Sequence, residues 1–497
     1  MSRPTTSQDV GRTARTPGEN HRWWVLAVIG LAQLMVVLDA TIVNIALPSA
    51  QADLGFTDSN RQWVVTAYAL AFGSLLLLGG RIADLVGRKR IFLIGLVGFS
   101  VASALGGAAP SFEVLVAARA LQGAFGALLA PAALSLLTTT FTDPKERAKA
   151  FGIYGAIAGT GGAVGLLLGG LLTEYLDWRW CLFVNLILAA VAFAGAVRLL
   201  HAGAPANPPK LDLPGTVLVS LGLFGLVYGF SNAESHPWST VNTWGFLLAG
   251  VLLLIAFWWW QNRTEHPVLP PRVVLDRNRG ASFLGMFIAG AGMFGVFLFL
   301  TYYLQQSLHY SPVLTGVAFL PMVFIMIVTS VTATNSLVPR FGARPIVPVG
   351  MLLGAGAMAW LTALDLHSSY AANVMPPLLL LGLGLGLIFA PAMSLATAGV
   401  APNDAGVASA TVNTSQQVGG SIGTALLNTL AGSAATAYLV GKQATPGNMA
   451  QAQLHSYSTA YWWSAGFFVV GMVVCGLLYP SGKPVIHQEG DSPPVHM

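Results

Sequence analysis

Asp39 stands in the run "LMVVLDATIVNIALP" (34–48), where every other side chain is apolar or small except the amide of Asn44. Arg119 stands in a second apolar run, nine residues after Pro110, as Asp39 stands nine residues before Pro48. A charge inside lipid is costly unless it is paired or faces water, so each residue is a functional candidate and each is the natural partner of the other. The pair can serve as a fixed lock between two helices. Alternatively the acid can carry a proton: burial favours its neutral form, a nearby cation favours its charged form, and a change in exposure then changes its protonation. Arg119 keeps its own proton at any useful pH, which leaves it to tune Asp39 and to relay.

Helical spacing adds further groups. Gln122, Gly123, Gly126 and Ala130 share a face with Arg119, a narrow stripe of polar and small residues. Gln33, Thr41 and Asn44 share a different face of the first run, turned well over a right angle from Asp39, and make a candidate cavity lining beside Gln122. Simple interhelical hydrogen bonds are the alternative use of these groups. Met293 and Phe297, with neighbouring aromatic and sulfur side chains, can form a pliable apolar wall or face lipid. No carboxylate lies deep in the second half, since Asp365 and Asp404 sit at span ends, so a neutral or singly charged lipophilic cargo is expected. No metal site and no cofactor are expected; the drive would be a proton gradient.

The elements that position these groups must be membrane helices. Hydrophobic residues make up 55% of the 497 and charged residues 9%, with a mean hydropathy of +0.67, a balance foreign to water-soluble chains. About 20 apolar residues span a bilayer as a helix. Fourteen such runs are read, near 24–47, 62–79, 90–108, 114–138, 149–172, 181–200, 212–231, 243–261, 281–303, 314–335, 345–365, 372–394, 406–431 and 460–479. The first run is too long for a signal peptide, so no cleaved leader is expected. With the N-terminus in the cytoplasm, only Arg61, Arg179 and Lys442 of the basic residues fall outside and Arg119 falls within a span, the positive-inside pattern that places both termini in the cytoplasm of a multi-pass cell-membrane protein. The basic loops therefore report topology, and nucleic acid is not an expected partner. Trp23, Trp24, Trp63, Trp178, Trp180 and Trp238 fall at span ends, where indole rings favour the headgroup level. Cys181 and Cys475 fall near opposite faces, so no disulfide is expected.

Two Pro-rich and charged connections, 201–211 and 262–280, divide the chain. The expected organisation is a cytoplasmic tail (1–22), an N-terminal six-helix bundle (23–200), two inserted spans with their linkers (201–280), a C-terminal six-helix bundle (281–480) and a second tail (481–497). "GGRIADLVGRKR" after the second span is echoed by "NSLVPRFGARP" after the second span of the later half, and duplicated halves with a site between them are a transporter architecture. Dense glycine in the fifth run lets helix backbones approach closely. A monomer is expected.

On these residues the chain resembles the major facilitator superfamily and, by its fourteen runs, the drug:proton antiporters of that superfamily. "GGRIADLVGRKR" resembles the signature loop, "RALQG" (119–123) the fourth-span motif, and "LDATIVNIALP", "DWRWCLFVN" and "SATVNTSQQVGGSIGTALL" segments of the fourteen-span antiporters. The resemblance implies an all-α integral membrane protein with two six-helix bundles plus two inserted central helices. It also implies a proton-coupling role for Asp39 and Arg119. Gly80, Asp84, Gly87, Arg88 and Lys89 would form a gating latch. The fifth-span motif of exporters reads here "GGAVGLLLGG", keeping Gly161, Gly165, Gly169 and Gly170, with Leu166 where the pattern has proline; the kink and steric block of that proline are absent.

Three functions follow. The first is proton-driven export of amphipathic drugs, antibiotics or secreted metabolites by alternating access. The second is proton-coupled metabolite uptake, and the third a membrane sensor or enzyme. The third would need polar catalytic loops or a soluble domain, whereas the longest outer loop (432–459) is mostly Ala, Gly, Gln and Thr. The chain is therefore not expected to be an enzyme.

Overall fold

The computed structural model describes residues 19–57, 60–141, 143–200, 212–235, 238, 240–397, 400, 405–443 and 445–481; of the two expected tails, 1–18 and 482–497 lie outside the described residues, as does the 201–211 linker, while 19–22 belong to the first helix. Every regular element among the described residues is helical. The first half contains α1 (Glu19–Leu54), α2 (Gln62–Val86), α3 (Arg88–Gly107), α4 (Phe112–Thr140), α5 (Pro144–Tyr175) and α6 (Trp180–Leu199). Then come α7 (Leu213–Ser235), α8 (Val241–Gln261) and the single turn α9 (Pro271–Val274). The later half contains α10 (Arg277–Tyr302), α11 (Pro312–Thr332), the short α12 (Val338–Phe341), α13 (Ala343–Leu361), α14 (Met375–Thr397), α15 (Ala405–Leu439) and α16 (Pro446–Leu478).

Several helices outrun the apolar stretches that announce them. α1 passes straight through Pro48 to Leu54, because one missing N–H is tolerated in a helix whose neighbours support it. The expected 432–459 loop is mostly helix, with α15 ending at Leu439 and α16 beginning at Pro446. Of the fourteen expected spans, twelve are helices long and apolar enough to cross a membrane among the described residues. The other two long helices are α5, where only Val164–Tyr175 stands out as apolar, and α15, rich in Ser, Thr, Asn and Gln. Both are walled by other helices, α5 by α1 and α11, α15 by α2, α7, α10 and α16. A helix that meets mostly protein need not be apolar all round.

The lipid-facing surface follows helical spacing. Ile94, Val97, Val101 and Leu105 form an exposed stripe on α3, as Leu248, Val251, Leu252 and Ile255 do on α8 and Phe324, Val328 and Val331 on α11. In water such patches would drive aggregation; in a bilayer they are the solvated face.

Contacts between helix ends define two faces. At the face where α1 begins and α16 ends, Arg22 pairs with Glu146 at the start of α5 at 2.6 Å. The internal echo is visible in three dimensions at this face. Gly87 links α2 to α3 at φ +106° and Gly342 opens α13 at φ +80°, a region that favours glycine. Two residues on, Lys89 donates to the carbonyls of Val197 (3.0 Å) and Leu200 at the end of α6, and Arg344 donates to Gly476 near the end of α16 at 3.2 Å. In both halves a cation satisfies the last carbonyls of a helix, where the backbone dipole is negative.

The inserted helices are not a free appendage. α7 and α8 pack on each other, and α7 also packs on both α2 and α15, one helix from each half. Ser220 of α7 donates to the Ser74 carbonyl of α2 at 2.8 Å. Asp212, just ahead of α7, is 5% exposed and accepts from Gly215 N (2.9 Å), Trp260 Nε1 (2.7 Å) and Gln261 Nε2 (2.7 Å), tying the start of α7 to the end of α8.

Candidate functional site

Asp39 and Arg119 meet. Arg119 Nη1 lies 2.5 Å from Asp39 Oδ2, with Asp39 0% and Arg119 1% exposed. The site is assembled from five helices. From α4, Gln122 Nε2 donates to Asp39 Oδ1 at 2.9 Å while its Oε1 accepts from Arg119 Nη1 at 2.9 Å. From α6, Asn185 Nδ2 donates to the same Oδ1 at 2.8 Å. Ser103 Oγ of α3 accepts from Gln122 Nε2 at 2.6 Å and from Asn185 Nδ2 at 3.3 Å. From α2, the Val64 carbonyl accepts from Arg119 Nε at 3.1 Å, and the Tyr68 ring lies 4.4 Å from the guanidinium carbon, a cation–π contact. Each partner of Asp39 donates, the arrangement that suits a charged carboxylate. Buried charges that are paired and hydrogen-bonded on every side can persist in a membrane interior.

Toward the opposite face, an apolar cavity with room for about one water, about 10 Å³, lies against Arg119. Its walls include Val43 and Ala46 of α1, Val64 of α2, Leu115 of α4, and Trp178 and Leu182 at the start of α6. Trp178 Nε1 donates to Asp53 Oδ2 at 3.1 Å, and Arg179 pairs with the same carboxylate oxygen at 3.0 Å.

The two halves meet across this same face. Tyr302 OH of α10 donates to Gln51 Oε1 of α1 at 2.6 Å, and the Arg61 guanidinium lies 4.1 Å from the Tyr302 ring centre. Asn428 Nδ2 of α15 donates to Gln62 Oε1 of α2. The backbone N–H of Val313 in α11 donates to Glu174 of α5 at 3.0 Å. A methyl group at Gly170 would sit 2.6 Å from the Pro312 carbonyl oxygen, and one at Gly316 would sit 2.5 Å from that of Leu166. Glycine is what lets α5 and α11 touch there.

The structure redistributes the remaining expected site residues. Gly161, Gly165 and Gly169 face α1, the close approach that dense glycine allows: a side chain at Gly165 would collide with Thr41 Oγ1. Thr41 itself packs into that groove and donates to the carbonyls of Val37 (3.2 Å) and Leu38 (3.1 Å). Asn44, 4% exposed, donates to Ala40 O at 3.3 Å. Gln33 Oε1 accepts from Tyr154 OH of α5 at 2.6 Å. Gln33 and Thr41 thus lie on an α1–α5 packing face, because small residues on α5 bring the two backbones together, while Asn44 bonds within its own helix. Gln122, expected to line a cargo cavity, instead spends its amide on Asp39, Arg119 and Ser103. Met293 and Phe297 are half-buried, and the Phe297 ring lies 5.2 Å from that of Phe319 on α11. In the latch segment, Gly87 makes the turn and Lys89 is committed to α6 of the same half; Arg88 is half-buried. Gly80 makes only ordinary contact with Pro131, whereas Gly79 is the position pressed against the Ala127 carbonyl of α4. The Asp84 side chain lies outside the described residues.

Ser103, Tyr68 and Asn185 join the site without having been singled out in the sequence. Asn185 ends the quoted segment "DWRWCLFVN" as a lone amide in the sixth run, and that was its available signal. Ser103 and Tyr68 give none, since small hydroxyls and tyrosines are common in membrane helices.

The family model described as Major Facilitator Superfamily matches residues 29–424. The chain is 50% identical over 473 residues to the puromycin resistance protein of Streptomyces alboniger, covering 95% of this chain and 94% of that one. It is 39% identical to the cephamycin export protein of Amycolatopsis lactamdurans, covering 86% and 89%. Among solved structures, an auto-inhibited POT family peptide transporter superposes with a TM-score of 0.66 at 14% identity, covering 94% of this chain and 98% of that one, a likeness of fold.

Proposed function

The chain belongs to the major facilitator superfamily, and on that premise we propose that it exports amphipathic antibiotics or related secreted metabolites across the cell membrane in exchange for protons. The observation that carries this reading is the buried Asp39, held by Arg119 and two amides and 0% exposed. A carboxylate so enclosed is retained at high desolvation cost, and intramembrane acids of this kind serve proton or ion movement. Kinship to proteins named for puromycin resistance and cephamycin export supports outward transport.

Both termini lie in the cytoplasm by the distribution of Lys and Arg. The face closed by the Gln51–Tyr302, Gln62–Asn428 and Glu174–Val313 contacts is then the outer one. In the exchange cycle, cargo enters from the cytoplasm or inner leaflet while Asp39 is charged. Parting of the outer seam releases the cargo, and a proton taken from outside by Asp39 resets the carrier. The functional unit is a single chain.

Everted membrane vesicles test this. After acid loading, addition of puromycin should dissipate the proton gradient in vesicles containing the wild-type protein and not in those containing Asp39→Asn. A gradient that responds only when compound and protons are supplied on the same side would overturn export by exchange.

A further inference from the structure

Asp39 is surrounded by donors, and that poses a chemical problem once it takes up a proton. A carboxyl group carries an O–H that must itself donate, and an unmet buried donor is costly. Arg119 has no lone pair to offer. Gln122 is committed at both ends: its Oε1 accepts from Arg119 and its Nε2 donates to Asp39 and Ser103. Ser103 Oγ already receives two N–H groups. Asn185 differs. Its Nδ2 donates to Asp39 Oδ1 at 2.8 Å, while its Oδ1, fully buried, has no hydrogen-bond partner.

We propose that Asn185 is the reversing partner of the proton site: when Asp39 is protonated on Oδ1, the Asn185 amide turns over and its Oδ1 accepts the new O–H. This rests on the reading of Asp39 as the proton carrier. The step is balanced by the incoming proton alone, since no covalent bond other than O–H forms or breaks. The N–H···O contact to the carboxylate is exchanged for O–H···O=C. Space is not an obstacle, because the two ends of an amide have nearly the same shape and its terminal torsion is broad and two-fold. The carbonyl orphaned in the charged state is thereby matched in the protonated one, and the unmet end of the amide becomes Nδ2, which turns away from Asp39 and Ser103. The titratable groups that face Asp39 from packed helices among the described residues are Arg119 of α4, Tyr68 of α2 and Cys181 of α6. Arg119 has no lone pair to offer, and Cys181 Sγ is engaged with Thr173 Oγ1 and the Gly169 carbonyl. The Tyr68 hydroxyl, also buried without a hydrogen-bond partner, is the other oxygen near the site, so Tyr68→Phe should leave the Asn185-dependent carbonyl shift in place.

Infrared difference spectra, acidic minus neutral, on the purified protein in liposomes read this directly. The wild type should show a carboxyl band that Asp39→Asn removes. With ¹³C-labelled asparagine it should also show a shifted side-chain carbonyl band that both Asn185→Ser and Asn185→Leu remove. A carboxyl band with no Asn185-dependent carbonyl shift would overturn the proposal and leave proton uptake by Asp39 intact; absence of the carboxyl band would overturn both. In transport, Asn185→Leu, which can neither donate nor accept, should lose about tenfold or more in proton-driven rate, the scale of one hydrogen bond to a charged group. Asn185→Ser, whose hydroxyl can do either, should recover part of that loss. Equal activity of Leu and Ser variants would count against a reversing role.

Discussion

Asp39 and Arg119, 80 residues apart in the chain, lie in contact at 2.5 Å with neither side chain open to solvent. Breaking such a pair from one side leaves a bare buried charge, which costs about 3–5 kcal/mol. Arg119→Ala is therefore expected to lower the melting temperature of the detergent-solubilised protein sharply. Arg119→Lys should lower it less, because a cation remains beside the carboxylate. Asp39→Asn combined with Arg119→Gln should regain stability while transport stays absent. A fully stable, active Arg119→Ala protein would remove the pair from the mechanism.

The Gln62–Asn428 contact joins α2 to α15 at the face where the halves meet. Near it, Thr66 and Thr424 are buried hydroxyls without partners, so the seam is incompletely bonded and can part. Asn428→Ala should shift the equilibrium toward opening on this face by about fivefold, the worth of roughly 1 kcal/mol. Electron–electron distance measurements between spin labels at positions 176 and 440, both exposed near this face, would report the longer population. An unchanged distribution would show that the seam does not hold the face closed.

α5 and α11 touch through Gly170 and Gly316. Gly316→Leu should wedge them apart, because the added side chain meets the Leu166 carbonyl and overpacking costs about 1–3 kcal/mol. The expected result is loss of transport with retained insertion and cargo binding. Normal transport by this variant would mean that closure does not need the contact.

Asp212 ties α7 to α8 through two side-chain amide or indole donors and one backbone N–H. Asp212→Ala leaves these buried donors unmet, at about 1–3 kcal/mol each, whereas Asp212→Asn keeps acceptors for part of them. Thermal stability should fall in the order wild type, Asn, Ala. Because α7 leans on both α2 and α15, transport should fall in the same order. If stability falls and transport does not, the inserted helices are not part of the moving machinery.

Most of the site's chemistry could be read before its geometry. Asp39 and Arg119 announce themselves because a charge in an apolar run is rare for a physical reason, and the matching offsets from Pro48 and Pro110 place them at similar depth. Glycine in "GGAVGLLLGG" likewise announces close packing. The partner of that packing could not be read, since Thr41 and Asn44 are equally able to line a cavity or to fill a groove, and only the neighbouring helix decides which. Gln122 shows the same limit: its face was legible, but what stands opposite that face was not.

The amino-acid order alone determined that the chain spans a membrane, where its helices run and which ionisable groups the lipid would otherwise forbid, because transfer free energy and helical periodicity act locally along the chain. Tertiary structure decided that α3 and α6 bring Ser103 and Asn185 to Asp39, that α7 leans on both halves, and that one face is closed by paired side chains from both. Those are matters of which helix stands beside which, and in a bilayer that choice is made by small-residue packing and hydrogen bonding between distant segments, which no single stretch of sequence contains.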